Sequence, residues 1–275
     1  MRFVKQALCV LLLFTLLSCA VAPGEIRAVS PSSLLVHSGD KVSLGTIGPG
    51  QTVSFLADPE VTEGGIHGVG GSWDRLDVTS VPDGWVGTNS PEQVNPLHVK
   101  ITAPPDAENG LYEMGVQALN RGDKEKIGGA VNFSLLVEVS REVLEVSVTP
   151  ERMEVGAGQP ARYMVTIRNT GAASDVFKIY SRGVPLWDFE KRVFVPSKSE
   201  KTVAYEVVSE EEQELEVRVT VSSDSSYLLS ETKKVVLKAN TSLFSDYAAC
   251  GHGVLLYPVI QGPVYALIGL LANLF

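Results

Sequence analysis

From Ile26 to Ala239, apolar and polar residues alternate in short runs that Gly, Pro, Asn and Asp interrupt. A period of two places successive side chains on opposite faces of an extended chain, so each run predicts a strand with one face toward a core. Ten runs stand out: QTVSFLA, LHVKITA, YEMGVQAL, VNFSLLVEV, LEVSVTP, ARYMVTIRN, DVFKIYS, KTVAYEVV, LEVRVTVSS and KKVVLKA. No stretch between them carries a helical stripe. The nearest candidate, SEEEQELEV from Ser209, reads as a solvated connection because its glutamates lead straight into a strand pattern. Regularly spaced strands with turn signals between them predict an all-β chain of antiparallel sandwiches.

The pattern repeats. Gly48, Gly50 and Gln51 match Gly156, Gly158 and Gln159, and Trp85 matches Trp187, with 34 residues from Gln to Trp in the first copy and 28 in the second. We therefore expect two tandem immunoglobulin-like β-sandwiches, at 25–140 and 141–240, with the extra length of the first copy in one loop. That loop, ADPEVTEGGIHGVGGSWD, has five glycines between Gly64 and Gly71, a density that belongs to irregular backbone.

Outside the repeats the chain changes character. Residues 1–22 place Arg2 and Lys5 before the apolar stretch Ala7–Leu17 and a patch of mostly small residues, the pattern of a secretory signal peptide. The apolar stretch is shorter than the roughly 20 residues a helix needs to span a bilayer. LLSC at Leu16–Cys19 resembles a lipobox, which would make Cys19 a lipidation site; cleavage after Ala20 or Ala22 is the alternative. At the other end, a linker at 241–252 leads into a hydrophobic segment at 253–275, and no Lys, Arg, Asp or Glu follows Asp246. Pro258, Gly262 and Pro263 interrupt any continuous helix, so a kinked span, an interfacial insertion and burial against a partner all remain open. The expected location is outside the cytoplasm, at the cell surface or in the periplasm, anchored to a membrane through this tail.

Charge and cysteine usage fit that location. The chain has 23 Lys plus Arg against 32 Asp plus Glu, and removing Arg2 and Lys5 leaves 21 against 32. An acidic chain with scattered cations offers no footprint for nucleic acid phosphates. Its three cysteines, Cys9, Cys19 and Cys250, all lie outside the repeats, so each sandwich must be stable by packing alone.

MEVGAGQPARYMVTIRNTGAASDVFKIYSRGVPLW, with Pro150 before it and Asn169 to Gly171 closing its first long strand, resembles the opening of immunoglobulin-like modules of prokaryotic cell-surface proteins. The nearest types are the cell-adhesion-related CARDB type and the alpha-galactosidase-associated type. ITAPPDAENGLYEMGVQA resembles a later strand pair of such modules. The resemblance implies an extracellular, non-catalytic module used for spacing, adhesion or carbohydrate association. It transfers no binding residue.

Candidate chemistry is sparse. His37, His67, His98 and His252 stand in no paired-ligand spacing, and neither a nucleophile elbow nor a phosphate-binding glycine loop occurs. We assign no catalytic residue, no metal ligand and no cofactor. Asp58, Glu60, Glu63, Asp106, Glu108 and Asn109 could offer oxygen to calcium, but acidic turns are expected in a chain of this charge. Trp85 and Trp187, matched across the copies, read as core residues. Trp73 has no counterpart and sits by the glycine-rich loop, so packing and a contact surface compete for it; with His67 and Asp74 it forms the candidate ligand contact. Asn132 and Asn240 open sequons that would accept glycans.

The sequence thus points to a non-enzymatic, exported, membrane-anchored protein that meets a cell-envelope protein or a carbohydrate. The alternative is a carbohydrate-active or proteolytic accessory protein with its site near the first glycine-rich loop.

Overall fold

The computed structural model describes residues 24–62, 65, 69–121 and 127–240, which fall into two compact units. The first comprises 24–45, 52–104 and 110–138, and the second comprises 46–51, 105–109 and 139–240.

The strands of the first unit are β1 (Glu25–Ser30), β2 (Leu34–His37), β3 (Lys41–Ile47), β4 (Thr52–Asp58), β5 (Glu60–Val61), β6 (Gly71–Ser72), β7 (Arg75–Ser80), β8 (Val86–Thr88), β9 (Leu97–Thr102), β10 (Gly110–Leu119) and β11 (Ala130–Val139). They form one sheet in the order β2-β1-β4-β9-β8, a second in the order β3-β11-β10-β7, and the short pair β5-β6. The two-residue period decides what each strand buries. Val53, Phe55 and Ala57 of β4 turn inward, as do Met114, Val116 and Ala118 of β10. Phe55 of one sheet meets Phe133 of the other with ring centroids 5.4 Å apart, which marks the core between them. Each such Val, Phe or Met side chain withdrawn from water contributes about 1.5–3 kcal/mol.

In the second unit a short 3₁₀ turn at Arg141–Val143, capped by the Ser140 hydroxyl accepting from the Glu142 amide, leads into β12 (Leu144–Thr149). Then follow β13 (Arg152–Gly156), β14 (Pro160–Asn169), β15 (Asp175–Arg182), β16 (Glu190–Val195), β17 (Ser199–Val208), β18 (Gln213–Ser223) and β19 (Ser230–Asn240). The sheets are β12-β14-β17 and β13-β19-β18-β15-β16. β14 and β17 pair antiparallel from Pro160 opposite Val208 to Asn169 opposite Ser199, while β13 runs parallel to β19. Tyr163, Val165 and Ile167 of β14 share a fully buried core with Phe177, Ile179, Val217, Val219 and Val221. Two face-packed sheets of this strand order make each unit an immunoglobulin-like sandwich.

All ten runs expected as strands are strands, and Ser209–Glu212 is a connection between two of them. The structure adds β1, β2, β3, β5, β6, β7, β8, β13 and β16, most of which lie at or near sheet edges, where one exposed face blurs the alternation. The matched glycine turns are built alike. Gln51 donates its amide to the Gly48 carbonyl at 3.2 Å and Gln159 donates to Gly156 at 3.0 Å, with Gly50 at φ +72° and Gly158 at φ +77°. Only glycine takes those angles without strain, which is why this signature recurs in both copies.

The copies differ where the matched tryptophans lead. After Trp85, β8 pairs with β9, from Val86 opposite Thr102 to Thr88 opposite Lys100. After Trp187, β16 pairs instead with β15, from Asp175 opposite Val195 to Tyr180 opposite Glu190.

Candidate functional site

Of the candidate contact residues, His67 lies outside the described residues, as do Cys19 and the hydrophobic tail. Trp73 does not offer a surface. It is 1% exposed, its indole N–H donates to the Glu25 carbonyl at 3.0 Å, and its backbone amide donates to the Pro59 carbonyl at 2.9 Å. A ring enclosed in this way packs the first unit, so the contact expectation for Trp73 gives way to the packing one. Asp74 is also engaged within the fold. Its carboxylate accepts from the Arg121 amide at 2.6 Å, its amide donates to Leu119, and its carbonyl accepts from the Gln93 amide. The structure therefore ties Trp73 and Asp74 to the scaffold.

Asn132 is exposed on β11, and its side-chain oxygen accepts from the Gln117 amide group at 2.8 Å. Asn240 closes β19 with its side-chain amide on the Glu154 carboxylate. Among the described residues, no three His, Cys, Asp or Glu side chains gather as a metal site would require.

The arrangement that draws attention lies in the second unit, around Trp187. An open depression of about 520 Å³ is lined by Lys178 and Tyr180 of β15, Arg182, the part-buried Trp187, Asp188 and Glu190. A tightly tied loop at 183–189 forms its wall. Gly183 holds φ +102° with the Glu216 carbonyl oxygen only 2.4 Å from where a Cβ would stand, so no other residue fits. Val184 is buried and its carbonyl accepts from the Trp187 amide at 3.4 Å. At the far end the Phe189 carbonyl accepts from the Tyr205 hydroxyl at 2.7 Å. Between those ties Leu186 is 96% exposed at φ +59°. A bulky residue at positive φ costs of order 1–3 kcal/mol and persists where the surroundings over-determine it.

The electrostatics of the depression are balanced. Lys178 lies 3.6 Å from Glu190, and the Arg182 guanidinium sits over the Tyr180 ring at 5.9 Å from its centroid. Asp188 is exposed, and no ion pair to it is found among the described residues. Trp187 buries its indole nitrogen beside the Tyr205 hydroxyl, close enough to influence that hydroxyl but outside hydrogen-bond geometry. Burial pushes the Tyr205 hydroxyl pKa up, opposed by Ser181 and by Trp187. Trp187 packs against Phe189 at 6.0 Å between centroids, which in turn packs against Tyr205 at 5.9 Å.

Sequence reasoning missed this site because Trp187 matches Trp85 and both read as core. Trp85 is 6% exposed and packs on Tyr112 at 4.9 Å, whereas Trp187 is left part-open on the wall of a hairpin. The available signal was GVPLWDF itself, which places Leu, Trp and Phe in a stretch whose Gly and Pro exclude a buried strand.

The fold and the depression define a pair of immunoglobulin-like sandwiches, the second with a structured concavity. No family model matches the chain, and no curated protein matches its sequence. Among solved structures, a chimeric titin Z1Z2 carrying an exogenous decorin peptide is 14% identical over 80% of this chain and 100% of that one, with a TM-score of 0.32. The D0-D1 domain of intimin is 12% identical over 74% of this chain and 97% of that one, at 0.25. A beta-glucosidase from Listeria innocua in complex with glucose is 19% identical over 36% of this chain, at 0.27, and the match takes in only 16% of the glucosidase. Likenesses at these scores carry no weight for function.

Proposed function

We propose that this chain is an exported, membrane-anchored cell-surface protein in which two immunoglobulin-like sandwiches, akin to CARDB-type or alpha-galactosidase-associated modules, display a binding surface without catalysis. The observation that carries the binding role is the tied 183–189 loop. Gly183, Val184 and the Tyr205 hydroxyl hold it firmly while Leu186 projects in a strained conformation, and a plain spacer gains nothing from a fixed apolar tip. The partner is an envelope protein or a carbohydrate. The charge balance argues against nucleic acid.

Export and attachment rest on sequence. Residues 1–22 carry the signal-peptide pattern, and both Cys19 and the uncharged stretch 247–275 offer a means of attachment. The tail is the stronger anchor in this reading, because a span binds effectively irreversibly whereas acyl chains contribute about 0.8 kcal/mol per buried CH₂. Fractionation of cells making the full chain, a Cys19→Ser variant and a chain truncated after Asn240 tests it. Truncation should release the protein into the medium or periplasm, and Cys19→Ser should leave it with membranes. A truncated protein that stays wholly membrane-bound transfers the anchoring role to Cys19, and a full chain found in the cytoplasm ends the reading.

A further inference from the structure

We propose that the depression beside Trp187 binds a neutral saccharide, one hexopyranose ring seated against the indole with its hydroxyls on Arg182, Asp188 and Glu190. The inference rests on reading the chain as a binding protein and supplies the chemical class of its ligand.

The charge count selects neutrality. Lys178 and Arg182 share the lining with Asp188 and Glu190, so it holds two cations and two carboxylates. An anionic ligand such as a phosphate would require a cationic excess, and an ammonium ligand the reverse. Four of the ten lining residues are charged, so a wholly apolar ligand would leave those groups desolvated and unpaired. A sugar meets all these conditions. Each hydroxyl both donates and accepts, so it can use a guanidinium and a carboxylate side by side. The C–H face of the ring is apolar and suits the flat side chain of Trp187. Arg182, resting on the Tyr180 ring, is already oriented and loses little freedom when it engages a hydroxyl. A volume of about 520 Å³ lies within the roughly 300–1,000 Å³ range of small-molecule sites.

The comparison of the two copies supports this independently. In the first unit the chain after Trp85 joins the sheet of β9, and Trp85 is enclosed against Tyr112. In the second, β16 folds back on β15, and the intervening loop holds Trp187 at the mouth of the depression. Buried Trp85 shows that the repeat can enclose this tryptophan, so the open setting of Trp187 is particular to the second copy.

The test uses the full chain in a zwitterionic detergent, because glucoside and maltoside detergents would compete. Cellobiose, maltose and N,N′-diacetylchitobiose serve as probes, followed by saturation-transfer difference NMR and titration calorimetry. Saturable binding of at least one at millimolar Kd or tighter is expected, weakened tenfold or more by Asp188→Ala and by Trp187→Leu and unchanged by Trp85→Phe. Asp188 is exposed, so its loss leaves the fold intact and keeps the test valid if Trp187→Leu unfolds. Absence of saturable binding for all three sugars overturns the proposal, as does binding that Asp188→Ala leaves unchanged. Either result in a protein that still fractionates with the envelope removes this ligand class alone and leaves the attachment reading standing.

Discussion

The Tyr205 hydroxyl, on β17 of one sheet of the second unit, donates to the carbonyl of Phe189, where the 183–189 loop rejoins the other sheet. The same hydroxyl bonds Ser181 Oγ at 3.2 Å. Tyr205→Phe keeps the ring and its packing on Phe189 while removing both bonds. Since a buried acceptor left without its donor costs about 1–3 kcal/mol, we expect that loss in the unfolding transition of the second unit, measured with urea. Trp187 emission should shift to longer wavelength as the loop loosens. An unchanged spectrum would mean that Gly183 and Val184 hold the loop unaided.

The alternation that makes β18 readable as QELEVRVTVSS is local, because each side chain's face follows from its neighbour's. Partner choice is not local. Nothing in VPDGWV or VPLWDF says that β8 will join β9 while β16 joins β15, since the bonds that decide it are made with strands elsewhere in the chain. Trp73 teaches the same point. Its place beside glycines suggested a surface, but its partner is a carbonyl 48 residues away, and its ring lies against Gly24, whose added Cβ would stand 3.7 Å from it. The depression around Trp187 was illegible for the opposite reason. The regularity of the repeat hides the residue that departs from it.

Trp73→Ala should therefore act as a core truncation. Loss of a large buried aromatic costs about 3–5 kcal/mol, and we expect the first unit to unfold at markedly lower denaturant than in the parent chain. Trp73→Phe should recover part of the packing but leave the Glu25 carbonyl without its donor. Trp187→Ala, at a part-buried position, should cost less than Trp73→Ala. Equal losses at the two sites would contradict the difference in their burial.

Tyr163 supplies a pH dependence. Its hydroxyl donates to the Val236 carbonyl at 3.1 Å in the core, and burial pushes its pKa from 10.0 to about 12. The neutral phenol is the form that the fold favours. Its contribution is fully present below pH 10.0, the unfolded value, and is lost as pH rises toward about 12. At about 1.36 kcal/mol per unit the total is on the order of 2–3 kcal/mol. Urea unfolding of the second unit followed across that window should show stability falling with pH, and Tyr163→Phe should flatten part of the slope. A variant with the parent's slope would assign the alkaline sensitivity to other groups.

The Asp175 side chain of the second unit accepts four hydrogen bonds and is nearly enclosed, at 5% exposure. One carboxylate oxygen accepts from the Val176 amide at 2.8 Å and the Ser225 hydroxyl at 2.9 Å. The other accepts from the Ser223 hydroxyl at 2.6 Å and the Gln51 side-chain amide at 2.7 Å. Four donors converge on an acceptor-only group, which is how a buried carboxylate is made tolerable. Asp175→Asn keeps the shape but puts an NH₂ where one oxygen stood, facing donors it cannot satisfy. We expect a loss of about 2–4 kcal/mol, and about 1–2 for Ser223→Ala, which removes only one donor. The double variant should lose less than the sum, because Ser223 no longer opposes the misplaced NH₂. Strict additivity in that cycle would show that Ser223 and Asp175 stabilise the unit separately, against the single network that their 2.6 Å bond describes.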